Sequence, residues 1–549
     1  MRTLGMAALA LALVFLSTPA RAEDDFDQGE VSQTYLEMAP LAEKGDADAQ
    51  YKLGRLYLAG KGGVAQDVDK AARLFAKAAD QGQAKAQFQL SLLYRDGRGV
   101  ERDMDKSFHW LNLSAKAGFP PAMTNLGFAF FNGDGAPPDR PRALEWLQKS
   151  AKAGEPTALH NLGKMLLTGS GLPKDLGTAR EYFQKAAGMG HKGALTQLGL
   201  MNEKGWGMDQ DFKAALDHYQ KAADRGYPEA MARLAGLYER GLGTDMDREK
   251  AYALYRAAAL KGDPVARTGM GRMYAYGLGV KPDLEKALIL FRQAEDDGYA
   301  PAQTQLGKLH EQGLGLPQSH EMARKWYEAA ARRGDAEAMV FMGDAYRDGV
   351  GVAKSYSTAM MWYRKASDAG DPMGQSRLGG MYEEGQNVRQ DLALALDLYT
   401  RSAKQNYRTA QYNLGRLYYN GMGVKRDMRQ AAEWFLKAAR LALPEAQVQI
   451  ASMLMDGMGT AQDDQEAAKW ATRAAEQGSG DGDNLLGFLY ARGRGVPQDQ
   501  ALAWAWFSLA EEKESPHATE NRERAEAGMS GAKMRAARRA LEDLRQKGF

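Results

Sequence analysis

Between Gly97 and Gly493 a glycine stands every 36 residues, at 97, 133, 169, 205, 241, 277, 313, 349, 385, 421, 457 and 493, with no insertion or deletion. A fixed period of this length marks a repeat array, in which each supersecondary unit buries its apolar face against the next copy and none is stable alone. Such a chain offers an extended surface for partners and argues against an enzyme before any motif is read.

Residues 410–439, AQYNLGRLYYNGMGVKRDMRQAAEWFLKAA, give the clearest copy. Ala410, Leu414, Leu417 and Tyr418 recur at helical spacing; Gly421-Met422-Gly423 breaks the pattern; Ala431, Ala432, Trp434, Phe435, Ala438 and Ala439 restart it. One repeat is therefore two antiparallel helices and a short loop.

Each column has a physical reading. A Leu-Gly pair recurs in mid-helix (Leu53-Gly54, Leu126-Gly127, Leu162-Gly163, Leu198-Gly199, Leu306-Gly307, Leu378-Gly379, Leu414-Gly415, Leu486-Gly487), with Ser91, Ala235 and Ala451 as its small departures. Glycine there costs about 1 kcal/mol in helix propensity, so the spacing predicts that the second helix packs close against it. The loop is Gly-x-Gly except at Gly385-Gln386-Asn387, and asparagine is the residue that best replaces glycine at positive φ. Glycines close the second helices from Gly82 onward, with Asn406 in the same role and Ala442 a departure, and they read as helix C-caps. The aromatic column Trp110, Trp146, Tyr182, Trp326, Trp362, Trp434, Trp470 and Trp506 reads as core.

These residues resemble the Sel-one-like repeat (SLR) family, α/α-hairpin relatives of the tetratricopeptide repeat. The pattern A-x-x-x-L-G-x-x-Y-x-x-G-x-G-V followed by K-A-x-x-W-[YF]-x-x-A-A-x-x-G runs through thirteen copies; only the first, with Gly60-Lys61-Gly62-Gly63, carries an extra residue. The resemblance implies an all-α fold, a right-handed α/α superhelical solenoid of about thirteen 36-residue repeats with terminal capping helices. The expected division is a secretory leader at 1–22, a disordered lead and N-terminal capping helix at 23–47, the solenoid at 48–510 and C-terminal capping helices at 511–549. At the front, Tyr35, Leu36, Ala39 and Leu41-Ala42 are expected to cover the first repeat; at the rear, Met534, Ala537 and Leu541 are expected to cap the last.

The leader reading rests on Arg2, the apolar run Met6 to Leu16 and the small-x-small site Ala20-Arg21-Ala22. That run is shorter than the ~18–20 residues of a spanning helix, and no later segment is apolar for so long, so a periplasmic or secreted protein without a membrane span is expected. With no cysteine, disulfides and thiolate metal sites are excluded. The formal charge is +2, and removing Arg2 and Arg21 leaves 70 basic against 70 acidic residues, a balance that disfavours nucleic acid as a ligand.

Chemistry-bearing motifs are missing from the sequence. The seven histidines (109, 160, 191, 218, 310, 320 and 517) show no i, i+4 pair and fall in different repeats, so no metal or cofactor is expected. His218 and His310 occupy aromatic columns and read as core. No glycine-rich loop has the G-x-x-x-x-G-K-[ST] form, and Asp481-Gly482-Asp483-Asn484 lacks the distal glutamate of a calcium loop. There is no G-x-S-x-G, and the S-D-N and K-T-G partners of a lactamase S-x-x-K are missing too, so the chain reads as no enzyme.

What remains is the variable face of the first helices, which lines the inner surface by analogy with tetratricopeptide arrays. Tyr51, Phe88, Leu92, Phe128 and Phe131, edged by Arg55 and Arg95, form one candidate partner-binding patch; Tyr412, Arg416 and Tyr419 form a smaller second one. From Ala232 to Glu383 the same positions are mostly small or charged. The resemblance implies a scaffold or adaptor binding a peptide segment or partner protein in the concave groove, in envelope, exopolysaccharide or signalling complexes. The alternative ligand is a glycan, exopolysaccharide or peptidoglycan, stacked on groove aromatics.

Overall fold

The computed structural model describes residues 33–549, so the expected leader and lead at 1–28 lie outside the described residues. The described residues form 29 helices and no strand. They divide into two compact units, one ending at Leu195 and one running from Thr196 to Phe549. In the first, the lone helix Gln33–Glu43 precedes hairpins such as Ala47–Ala59 with Val68–Asp80 and Ala84–Asp96 with Met104–Lys116. In the second, hairpins from Pro228–Arg240 with Arg248–Ala259 to Gly480–Arg492 with Gln500–Glu512 are followed by Ala518–Glu526 and Gly531–Gln546. Each unit is an α/α array, as the 36-residue period requires.

Local sequence starts each second helix by one device. Asp67, Asp103, Asp139 and Asp175 in the first unit, and Asp211, Asp247, Asp283, Asp391, Asp427, Asp463 and Asp499 in the second, sit at the N-cap in extended conformation, each side chain accepting a backbone N–H of the first turn. Ser319 and Ser355 do the same. The left-handed positions are as expected: φ is 61° at Asn387 and 58° at Asn406. Ala442 also holds a left-handed φ, 55°, at a position where a side chain is strained.

The mid-helix glycine packs on the second helix. A Cβ at Gly54 would lie 2.8 Å from the Phe75 ring, at Gly163 2.7 Å from Phe183, at Gly199 2.5 Å from Tyr219 and at Gly415 2.6 Å from Phe435. The departures carry their own compensation. Ser91 and Ala451 stand where the ring would be Leu111 and Ala471, and opposite Ala235 the Tyr255 ring instead leans on Gly269.

This ring column, not the tryptophan column beside it, is the interior of the array. Phe75, Phe183, Tyr219, Phe291, Tyr363, Tyr399 and Phe435 are among the largest fully buried side chains. Trp110, Trp146, Tyr182, Trp326, Trp362 and Trp434 are only half-buried, and the core reading holds in full for Trp470 and Trp506 alone. The half-buried rings carry cations one turn on: Lys149 lies 4.6 Å from the Trp146 centroid, Lys365 4.3 Å from Trp362 and Lys437 3.9 Å from Trp434. Adjacent residues of a helix are about 100° apart, so only one member of a Trp-[Tyr/Phe] pair can face the glycine.

A buried amide column ties successive hairpins. Gln50 donates to the carbonyl of Ala42 and accepts from Gln81; Gln447 donates to Ala439 and accepts from Gln477. In the last repeat Asp483 and Lys513 replace that amide pair, meeting at 2.6 Å. Asp483 is fully buried, and burial pushes its carboxyl up to about 6 against the pull of the Lys513 ammonium. That position explains the acidic run at 481–484 without calcium.

The end pieces partly follow expectation. At the front Ala42 is buried, Ala39 is half-buried and Tyr35 stands edge-on to Tyr57 at 6.4 Å, but Leu36 and Leu41 are 61% and 43% exposed and cover nothing. Both point away because residues 35, 38, 39 and 42 complete the one stripe this short helix can bury. At the rear Ala537, Leu541 and Leu544 are buried and Met534 is half-buried, all against the last repeat, and Phe549 stands edge-on to Trp506 at 4.9 Å.

Candidate functional site

In the first unit the patch residues divide. Leu92, Arg95 and Phe128 come together on a pocket of about 260 Å³ between the helices Ala84–Asp96 and Pro120–Asn132. Met104, Phe108 and Leu111 add apolar wall, and Asp96, Asn125 and Asp134 add polar rim. Phe128 is 8% exposed and packs with Leu147 and Leu162, so it forms the floor rather than a free ring. Arg95 lies at the rim with its guanidinium on the Asp96 carboxylate at 2.8 Å.

The other members sit apart from that pocket. Tyr51 lies 6.0 Å from Phe75, half-buried, its hydroxyl raised by burial against the pull of exposed Arg55. Phe88 stands edge-on to Phe119 at 5.4 Å, and Phe131 joins the Leu111–Leu126 cluster with Arg140 over its ring at 5.8 Å.

In the second unit Tyr412, Arg416 and Tyr419 are engaged by the fold. Both tyrosines pack on Phe435, at 5.5 and 6.5 Å. Burial raises the Tyr412 hydroxyl, with Arg416 opposing. Arg416 reaches back one repeat to the buried carboxylate of Glu383 at 2.6 Å, and Glu383 also accepts from the Tyr399 hydroxyl at 2.7 Å.

That arrangement recurs. Glu239 accepts from Tyr255 at 2.9 Å and from Arg272 of the next repeat at 2.7 Å, and Asp344 from Tyr363 at 2.6 Å with Arg377 at 3.1 Å. Glu203 accepts from Tyr219 at 2.9 Å; burial alone would raise its carboxyl, but Lys204, Arg240 and the Tyr219 hydroxyl hold it below the ordinary range. Glu239, Asp344 and Glu383 thus each join a tyrosine of their own repeat to an arginine of the next, as inter-repeat clamps. The sequence carried a signal: Tyr219, Tyr255, Tyr327 and Tyr399 each follow a glutamate by 16 residues, whereas Phe183, Phe291 and Phe507 follow Leu167, Ala275 and Ala491.

Two histidines do meet, His160 in the helix Pro156–Thr168 and His191 just before the helix Lys192–Lys204. The rings of His160 and His191 lie 4.6 Å apart, and His191 Nδ1 accepts the Ala194 N–H at the start of Lys192–Lys204. Burial lowers both imidazoles, His191 to about 4, and the facing His191 and Lys164 add to the lowering of His160. Among the described residues no group of three or more His, Cys, Asp or Glu is placed to hold a metal ion. No described helix is long and apolar enough to cross a membrane.

Comparison with known proteins gives a family model described as Sel1 repeat, matching residues 47–83, 84–119, 120–155, 156–191, 193–227, 228–263, 264–299, 300–335, 336–371, 372–407, 409–443, 444–479 and 481–515. Among solved structures, the chain is similar to a protective antigen present in uropathogenic Escherichia coli strains displaying an SLR fold: 28% identity over 92% of this chain and 93% of that chain, TM-score 0.44. It is also similar to a Sel1 repeat protein from Oxalobacter formigenes, 31% identical over 47% of this chain and 99% of that one, TM-score 0.41. No curated protein matches.

Proposed function

The chain belongs to the Sel1 repeat family, and from that premise we propose that it is an exported adaptor that binds a segment of a partner protein without altering it chemically. The pocket around Leu92, Arg95 and Phe128 carries this reading. Its apolar wall and floor suit one bulky side chain of a bound segment, and the Arg95–Asp96 and Asp134 rim suits polar backbone and side-chain groups beside it. An interface of this kind draws most of its affinity from one such buried anchor. Tyr412, Arg416 and Tyr419 are spoken for by Phe435 and Glu383, so the reading rests on the first patch. A polysaccharide ranks second, since sugars stack on open flat rings and Phe128 is buried.

The test is affinity capture by the mature chain with Leu92→Glu and Arg95→Glu together. These side chains are half-buried at the rim, so helical content should stay unchanged while partner capture falls about tenfold or more. Capture at the parental level by a folded variant sinks the reading.

A further inference from the structure

We propose that a hollow on the flank of the helix Met428–Arg440 binds a small organic carboxylate with an apolar body. The hollow measures about 490 Å³ and is bounded by that helix, Pro444–Asp456 and Asp464–Glu476. It lies within the second unit and uses none of the residues of the pocket beside Leu92.

The sequence makes the space. The fifth residue of a second helix and the residue 22 positions later, in the next repeat, can fill the gap between hairpins: Phe108 and Phe130 stand edge-on at 5.6 Å, and the hydroxyls of Tyr252 and Tyr274 hydrogen-bond at 2.8 Å. The same two positions hold Leu216 and Tyr238, Met360 and Tyr382, or Leu396 and Tyr418. Ala432 and Leu454 are the smallest such pair in the array, and both border the hollow. The position after the buried ring departs in the opposite sense. Every other second helix has alanine or a polar residue there, from Ala76 and Asn112 to Thr472 and Ser508, but this one has Leu436, half-buried on the wall of the hollow. Ile450 and Trp470, 2% and 5% exposed, complete the apolar lining. An ordinary solvated face does not lose bulk from its packing pair and gain an aliphatic wall at the same place.

Charge at the mouth sets the ligand. Arg429, Arg440 and Arg473 stand there with Glu433 and Glu466. Glu433 is held by Arg429 at 3.5 Å and Glu466 by Lys469 at 3.0 Å, while Arg473 lies over the Trp470 ring at 4.4 Å. Three arginines against two glutamates suit a single negative charge, and guanidinium forks match a carboxylate. Apolar walls with a few charged groups at the mouth, in a volume of this size, suit a small molecule. A partner protein fits less well: among the described residues Leu441 is the one large apolar side chain exposed between 428 and 476, so little apolar area flanks the hollow.

The probe is dansylglycine, whose naphthalene ring and carboxylate match the walls and the mouth, titrated with the full mature chain and followed by fluorescence anisotropy. Expected are saturable binding, a loss of about tenfold in Ala432→Leu/Leu454→Tyr, which installs the residues found at Leu396 and Tyr418, and a similar loss in Arg440→Gln/Arg473→Gln. The first variant should melt no lower than the parent, since it fills empty space. Lys404→Gln/Lys437→Gln, the counterparts one repeat earlier, should leave affinity intact, and the amide of dansylglycine should bind about tenfold more weakly than the acid. Absence of saturable binding, parental affinity in the filled or the arginine variant, a lowered melting temperature of the filled variant, an equal loss in the lysine variant, or equal affinity for the amide overturns the proposal. Tighter arginine-dependent binding of a short peptide ending in phenylalanine also overturns it and assigns the hollow to the end of a protein chain.

Discussion

Alanine at Gly415 reverses the ordinary sign of a helix-stabilising change. In an open helix the substitution stabilises by up to about 1 kcal/mol, because glycine gives up more backbone freedom on folding. At Gly415 the new Cβ would lie 2.6 Å from two carbons of the Phe435 ring, which is 1% exposed and has nowhere to retreat. Restoring ordinary contact needs a shift of roughly 1 Å, at the upper end of the ~1–3 kcal/mol that overpacking costs. The net expectation is a loss of about 2 kcal/mol. Gly188 ends the helix Leu176–Gly188 with nothing within 4 Å of its would-be Cβ, so Gly188→Ala should stabilise. Hydrogen exchange of the intact chain, resolved by mass spectrometry, should show Arg408–Arg440 exchanging about 30-fold faster in Gly415→Ala. Phe435→Leu added to it should recover part of the loss, as Leu111 stands opposite Ser91. Slower exchange in Gly415→Ala than in the parent would refute the packing rule.

Ala442→Gly should raise stability by about 1 kcal/mol, relieving a left-handed alanine, and a thermal melt that falls instead would contradict the strain. His191 supplies a pH dependence of defined sign. Its folded imidazole titrates at about 4 against an ordinary 6.5, so its stabilising share is complete above pH 6.5 and is lost as pH falls toward 4. At pH 5 the loss is about 2 kcal/mol relative to pH 8. Urea midpoints at the two pH values should show His191→Asn, which keeps a capping acceptor, losing less stability than the parent on acidification, with the remainder of the same sign coming from buried His160; equal pH dependence in the two would remove His191 as a cause.

The repeat, its hairpin and the glycine columns were legible because each follows from a backbone constraint: a left-handed φ at Asn387 and Asn406, a ring against Gly54 or Gly415. The tryptophan column was misjudged because composition does not say which of two adjacent aromatics turns inward. Trp434 and Phe435 are both large aromatics, yet only Phe435 faces Gly415. Arg416 looked free because its partner, Glu383, lies 33 residues away in the preceding repeat, beyond any single-helix spacing rule. Phe128 looked exposed for a related reason: a first-helix inner position is open or covered according to the adjoining repeat, here through Leu147 and Leu162. The N-cap aspartates at 36-residue spacing and the tyrosine–glutamate coupling were present in the sequence and needed only column-by-column comparison.

The adaptor reading stands or falls on whether a partner segment enters the pocket beside Leu92. A photoreactive phenylalanine analogue placed at position 92 of the mature chain, with a second chain carrying it at position 419, is irradiated in native envelope material, and the crosslinked peptides are sequenced. The account predicts a protein adduct at 92 that disappears when Arg95→Glu is added, with little or none at 419. Adducts at 419 alone, or at 92 irrespective of Arg95, would contradict it.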